Sequence, residues 1–318
     1  MPAPRVSVIV PAYNVTAYVR EALESLRAQT FRDFETVLVN DGCPDTGNLE
    51  KAVAPYAGEI VYLKTTNGGV ARARNAGIQL ARGDFVAFLD PDDFWEREYL
   101  ESQMAMFDAN RALDLVYPDA IVFGETPWAG STRMTRFPFS GTVSYEAIAT
   151  LRCRIFCGAT VRRDAILRLG AFDATLSAAE DFDLWLRLAR SGAKMAYNCA
   201  PLVHYRVRAG SLSRNKVVMK RAIVRVYDKH LQDEQSTEAE RKMLRAMRER
   251  HAGELELLIA KGAAFEGDRQ EAIEHLRRAN RILRSPKLGL ATLALQVRAQ
   301  WVKKFLHWRY GPKYLDLS

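Results

Sequence analysis

No segment of the 318-residue sequence approaches the run of about 20 apolar residues that a membrane-crossing helix requires. The opening residues Met1-Pro2-Ala3-Pro4-Arg5 carry no apolar leader and no small-residue cleavage site, so the expectation is a cytoplasmic protein. Cysteine is scarce. Cys43, Cys153, Cys157 and Cys199 form no CxxC pair, and no histidine or second cysteine pair completes a zinc pattern around Cys153 and Cys157. Disulfide staples and a structural zinc are therefore not expected, and the thiols read as buried or incidental. No GxGxxG follows the first strand, which argues against a nicotinamide-dependent dehydrogenase. No recognised nucleic-acid module accompanies the basic charge, so no nucleic-acid partner is expected.

What the chain does have is the balance of a folded protein, with 48% hydrophobic and 26% charged residues. Its length suits one large α/β domain plus a smaller appendage. The formal net charge of +8 points to an anionic partner, whether small substrate or membrane surface.

Residues 5 to about 90 alternate strand and helix. Val6-Ser7-Val8-Ile9-Val10 is a β-branched run that Pro11 is expected to stop. Val15, Val19, Ala22, Leu23 and Leu26 recur at helical spacing. Phe34 to Val39 reads as a strand ending at Asn40-Asp41-Gly42, and a short helix follows near residues 47–56. Ile60-Val61-Tyr62-Leu63 is a third strand, residues 70–81 a helix, and Phe85-Val86-Ala87-Phe88-Leu89 a fourth strand. Such alternation implies an α/β fold, a largely parallel sheet covered by helices on both faces. Ligands bind beyond the carboxyl ends of the strands in sheets of this kind. Pro11-Ala12-Tyr13-Asn14, Asn40-Asp41-Gly42 and Asp90-Pro91-Asp92-Asp93 each follow a predicted strand, so they are expected to meet along one edge.

Three acids in the four residues Asp90-Pro91-Asp92-Asp93 repel one another unless a cation neutralises them. Carboxylate oxygens suit Mg²⁺ or Mn²⁺, which bind through one or two carboxylates plus substrate phosphates. Alternatively, Asp92 or Asp93 caps a following helix. Asp41 and Asp45 lie in a turn where a carboxylate can accept hydrogen bonds from a base or ribose. Tyr13 can stack or hydrogen-bond. Asn67-Gly68-Gly69 precedes a helix carrying Arg72 and Arg74, an arrangement that suits a diphosphate. Each of these stretches also reads as an ordinary turn.

Their order is more telling than any one of them. Val8-Ile9-Val10-Pro11-Ala12-Tyr13-Asn14, Asn40-Asp41-Gly42-Cys43-Pro44-Asp45, Gly69-Val70-Ala71-Arg72-Ala73-Arg74-Asn75 and Phe88-Leu89-Asp90-Pro91-Asp92-Asp93 together resemble the family 2 glycosyltransferases. Ala179-Glu180-Asp181-Phe182-Asp183-Leu184-Trp185 resembles that family's acidic motif opening a helix, and residues 205–213 its closing active-site loop. The resemblance covers roughly residues 5–215. It implies a GT-A fold and an inverting hexosyltransferase that uses a nucleotide-sugar donor, UDP-linked by preference. It also implies a glycan or lipid-linked saccharide acceptor in cell-surface polysaccharide synthesis. By the same resemblance Tyr13 and Asp41 hold the base, Asp90 the ribose side of the donor, and Asp92 the metal. Asp181 is then the general base, with Glu180 a secondary candidate. Two positions depart from the family's pattern. Cys43 replaces a small hydroxyl residue. Arg208 stands where many relatives carry a histidine; it can grip a diphosphate but cannot ligate a metal. His204 is a candidate substitute ligand.

From about residue 215 the composition shifts to long helices rich in Arg, Lys, Glu and Ala, which places a domain boundary near residue 214 and a helical region over 215–318. Leu255 to Ala279, broken at Gly267-Asp268, looks like one helix-turn-helix unit. One unit is too few for a repeat array, so a helical pair packed on the catalytic domain is expected. Trp301-Val302-Lys303-Lys304-Phe305-Leu306-His307-Trp308-Arg309-Tyr310 interleaves aromatics and cations. It suits either peripheral contact with an anionic membrane or a basic helix docked on the protein. A non-catalytic sugar-nucleotide binder or membrane scaffold is the alternative function.

Overall fold

The computed structural model describes residues 3–297, and the basic aromatic stretch from Trp301 lies outside them. The chain divides into two compact units, Met1–Arg208 and Ala209–Ser318.

The first unit opens with β1 (Val6–Ala12), α1 (Val19–Arg27), β2 (Phe34–Asp41), α2 (Thr46–Val53), β3 (Ile60–Thr65), α3 (Val70–Leu80) and β4 (Phe85–Phe88). It continues through β5 (Phe94–Trp95), α4 (Tyr99–Ala109), β6 (Leu113–Gly124), α5 (Arg133–Arg136) and α6 (Tyr145–Ala149). Then come β7 (Thr160–Arg162), α7 (Arg163–Arg168), α8 (Glu180–Arg190) and β8 (Lys194–Val207). The strands form one sheet in the order β3-β2-β1-β4-β7-β6-β8-β5. β1 to β4 pair in parallel, as do β6 and β8, whereas β7 and β5 run antiparallel to their neighbours. The result is the mostly parallel, helix-flanked sheet expected of a GT-A fold.

β1 is buried along its whole length because helices cover both faces. Val6, Val8, Val10 and Ala12 join the cluster that holds Val19, Leu23 and Leu26 of α1. Ile9 faces the other way and meets α3, where a Cβ on Gly77 would approach the Ile9 Cγ2 to 2.5 Å. Only glycine lets α3 lie that close to the sheet. Each buried aliphatic side chain contributes about 1.5–3 kcal/mol, so this core sets the sheet edge firmly.

Pro11 does not stop β1; it pairs with Val39 inside the strand. The Ile9 carbonyl accepts from Leu89, so odd residues of β1 face β4, and β4 pairs no further than Phe88. Beyond that point no partner demands the N–H that proline lacks.

The second unit contains α9 (Lys216–Leu231), α10 (Glu238–Glu266), α11 (Arg269–Leu283) and α12 (Pro286–Val297). Thr237 and Glu240 form a reciprocal capping box at the start of α10. Gly267 ends α10 at φ 91°, and Asp268 caps α11 by accepting from the Glu271 N–H at 2.9 Å. Ala260, Ala263, Ala272, Leu276 and Ala279 form the small core between these helices. None of the described helices is long and apolar enough to cross a membrane.

Candidate active site

β2, β1 and β4 are adjacent and parallel, so their carboxyl ends share one edge. Tyr13 emerges there with 47% of its surface exposed, free to meet a ligand. Asn14 takes a left-handed φ of 53°, and its N–H donates to the Cys43 Sγ at 3.3 Å. Buried Asp41 accepts from the Gly68 and Gly69 N–H groups, each at 2.9 Å. One carboxylate thus latches the loop before α3 to the end of β2. Asp45 is exposed at the start of α2 and accepts from the Asn48 side chain at 2.8 Å.

The two arginines of α3 part company. Arg72 is exposed and folds over Gly68. Arg74 is only 3% exposed, and its guanidinium bridges Glu180 and Asp90, the latter at 2.6 Å. Side chains two apart on a helix cannot share a face, so the pair could not both reach one diphosphate. Arg74 therefore lies beneath the edge, joining a β4-end acid to the first acid of α8.

No helix follows Asp92 and Asp93 directly: β5 comes next, and α4 begins only at Tyr99. The capping alternative therefore falls away. Asp92 instead accepts from the Arg208 Nε at 2.7 Å, and Asp93 from the Arg206 N–H at 2.7 Å. The Arg206 guanidinium also donates to the Asp92 carbonyl at 2.7 Å and pairs with Glu21 of α1. Burial and the neighbouring Asp90 charge push the Asp92 carboxyl up against the pull of Arg208. Asp93 is pushed up further by burial and by both neighbouring acids.

Among the described residues no three acids, histidines or cysteines converge as a complete metal cage. Mg²⁺ and Mn²⁺ do not require one, since substrate phosphates and water complete their shell. Asp92 is a hard oxygen donor whose carboxyl is pushed up by burial and by the nearby Asp90, so the residues present fit such an ion. His204 does not join them. Its ring stacks on Phe94 at 4.2 Å, and its Nε2 lies 2.6 Å from Glu96.

Ala179 precedes α8 in the left-handed region, φ 55°, and turns the chain so that Glu180 and Asp181 open the helix. Glu180 is buried against Arg74. Asp181 is half-buried and accepts from the Phe182 N–H at 2.7 Å. Burial, then the charge of Glu180, pushes its carboxyl up to about 7. Such a group both holds and releases a proton near neutrality.

Sequence reasoning passed over two participants. Cys157, read as a buried or incidental thiol, is buried, and it lies within electrostatic reach of Arg74, Asp90, Asp181 and Glu180, with burial pushing its thiol well up. Nothing in its spacing signals that position. Arg206 sits in β8, on the face it shares with His204, and the alternation of that strand is not visible in the sequence.

With this geometry established, similarity to known proteins is informative. The family model described as Glycosyl transferase family 2 matches residues 7–170, just over half of the chain. The minor teichoic acid biosynthesis protein GgaB of Bacillus subtilis is 31% identical over 206 residues, 64% of this chain and 23% of that protein. An uncharacterized glycosyltransferase of Rickettsia felis is 31% identical over 195 residues, 59% of this chain and 32% of that protein. The chain thus spans about a quarter to a third of the length of such curated relatives. S. aureus TarS 1-349, solved with UDP-GlcNAc, superposes with a TM-score of 0.63 at 19% identity, covering 88% of this chain and 91% of that one. The mannosyltransferase PcManGT of Pyrobaculum calidifontis, solved with GDP-Man and Mn²⁺, gives 0.62 at 19% identity, covering all of this chain and 86% of that one. The sheet edge and its acids thus sit on a glycosyltransferase frame, and the chain belongs to glycosyl transferase family 2.

Proposed function

We propose that this chain transfers a sugar from a nucleotide donor, UDP-linked by preference, to a hydroxyl of a glycan or lipid-linked saccharide, with inversion. The observation that carries this reading is the half-buried Asp181, poised near neutrality at the mouth of α8 and tied through Glu180 and Arg74 to Asp90. A relative acting in teichoic acid biosynthesis and a fold neighbour holding UDP-GlcNAc support a cell-surface glycan and a UDP-sugar.

Tyr13 offers a face for the base, and Asp41 and Asp45, at the end of the neighbouring strand β2 and in the turn after it, would accept from the base or ribose. Pro11 and Asn14 shape that floor. Exposed Arg72 and partly exposed Arg208 would meet the diphosphate, and Asp90 the ribose side. Arg74 positions Asp90 and Glu180 from beneath. A Mg²⁺ or Mn²⁺ held by Asp92 and the donor phosphates would neutralise charge on the leaving diphosphate, worth several kcal/mol. Asp181 takes the proton of the acceptor hydroxyl. The oxygen then forms its bond to the anomeric carbon as the bond to the diphosphate oxygen breaks on the opposite face. One displacement of this kind inverts the centre.

The test is a purified Asp181→Asn protein assayed against a panel of nucleotide sugars with and without Mn²⁺. Loss of transfer with retained UDP binding is expected. Near-normal turnover in that variant would sink the base assignment. UDP binding without any turnover in the unmodified chain would favour a non-catalytic binder instead.

A further inference from the structure

A second cluster lies on the far half of the sheet, where no role has been assigned. Arg133 and Arg136 stand on α5, both half-buried. The Arg133 guanidinium lies over Phe156 at 4.9 Å and Tyr205 at 5.3 Å. Arg136 lies over Trp128 at 4.6 Å and Phe137 at 5.2 Å, and Arg154 covers the other reach of Phe137 at 4.0 Å. Arg133 and Arg154 line one narrow, open-mouthed pocket together with Tyr117 and Tyr197; its enclosed part is little larger than a water molecule, so a larger anion would sit at the mouth, with Arg136 beside it on α5.

Asp119 is the acid among the lining residues, and it is already engaged. Its Oδ1 accepts from the Ala120 N–H at 2.8 Å and the Met134 N–H at 3.0 Å, and the Tyr197 hydroxyl bonds to it as well. Burial, then the nearby charge of Arg133, pulls the Arg136 guanidinium below its usual range. Like charges held together in a part-buried pocket are relieved by an anion. Aromatic faces hold arginine planes flat while leaving their N–H edges for a bidentate partner.

The pocket also adjoins the proposed chemistry. Phe156 precedes Cys157, which sits among Arg74, Asp90 and Asp181. The Phe156–Cys157 step thus links the pocket wall to the acid cluster, and an acceptor extending that way from Asp181 would reach the pocket mouth.

We propose that this pocket binds a negative charge on the acceptor, a phosphodiester or carboxylate borne by the glycan near the hydroxyl that is glycosylated. The inference rests on the transferase reading above and narrows its acceptor to anionic saccharides. Arg133 is the principal contact, and Arg136 adds to the field.

Calorimetric titration of the full chain with three probes tests it: a glycerol phosphate trimer, a trigalacturonate and neutral maltotriose. At least one anionic probe is expected to bind about tenfold or more tightly than maltotriose, as charge-assisted contacts require, with the difference shrinking as salt rises. Preference for the trimer or for the trigalacturonate assigns phosphate or carboxylate. Arg133→Gln and Arg136→Gln should each reduce that preference, and Arg133→Lys, which keeps the charge, should restore most of it. Equal binding of maltotriose, or Gln variants that bind the anions like the unmodified chain, would overturn the proposal. UDP titrated into the same samples separates the two readings. Anion preference without UDP binding fails the donor reading alone, and UDP binding without anion preference fails this one alone.

Discussion

Arg74 and Arg208 each hold an aspartate of the same four-residue run, but from opposite directions. Arg74 rises from α3, nearly sealed from water, and is shared between Asp90 and Glu180. Arg208 follows the end of β8, about a fifth exposed, and serves Asp92. A buried pair cannot be broken without stranding a charge, at about 3–5 kcal/mol, whereas a partner at the edge can be exchanged for water, a metal ion or a phosphate. The site thus has one counter-charge built into its frame and another that a ligand can displace.

The largest expected effect lies on neither arginine but on Asp181, the proposed base. Asp181→Asn should lower kcat by about 10²–10⁴ in a transfer assay while the circular dichroism spectrum stays unchanged. If the loss is comparable in Asp90→Asn but not in Asp181→Asn, the roles of the two acids have been exchanged. Next comes Arg74→Met, expected to destabilise the catalytic unit by about 3–5 kcal/mol in urea unfolding. Little change would mean that the buried bridge is no part of the frame, and the comparison with Arg208 would collapse. Arg208→Ala should leave stability within about 1 kcal/mol, as for most edge pairs. It should weaken UDP binding about tenfold, read by titration in Mn²⁺, because one charge-assisted contact is lost.

The smallest effects are those of pH. Asp181 works as a base only when ionised, so kcat/KM should climb as pH rises through about 7 and level off above it. The stability change has the opposite sense. With its folded pKa raised far above the ordinary value of 3.8, Asp181 favours the native state fully below about pH 4 and loses that contribution as pH rises through about 7. Asp181→Asn should therefore melt at least about 2 °C higher than the unmodified chain at pH 8, and no higher at pH 4. A flat activity profile between pH 6 and 8 would remove the raised carboxyl from the mechanism.

Much of the fold was legible because its first half obeys simple periodicities. The β-branched run Val6–Val10 and the apolar spacing of Val19, Leu23 and Leu26 are patterns of 2 and 3.6 that burial enforces. β8 was not legible. Lys194–Val207 mixes burial along its length, and its pairing with β6 slips beside Pro118 and Asp119, where Pro201 stands opposite. A bulged strand hides its own alternation. The site divides along the same line. Tyr13, Asp41 and the acids after β4 are visible as polar residues at strand ends. Arg74 carries the same charge as Arg72 at a different helical angle, and only the fold shows it buried against Asp90 and Glu180. The Arg133–Arg136 cluster falls in an irregular stretch, where only three-dimensional packing brings Phe156 and Tyr205 beneath the cations.

The shared guanidinium of Arg74 has one more consequence, and it concerns timing. A single cation cannot serve two acids equally. A donor that draws Asp90 toward its ribose leaves more of the Arg74 charge to Glu180, whose repulsion helps hold Asp181 protonated. On the proposed roles, donor arrival would then ease the proton off Asp181, and by reciprocity the ionised Asp181 would tighten the donor's hold. The order of loading would thus bear on one side chain, with Asp181 a readier base once a donor is in place.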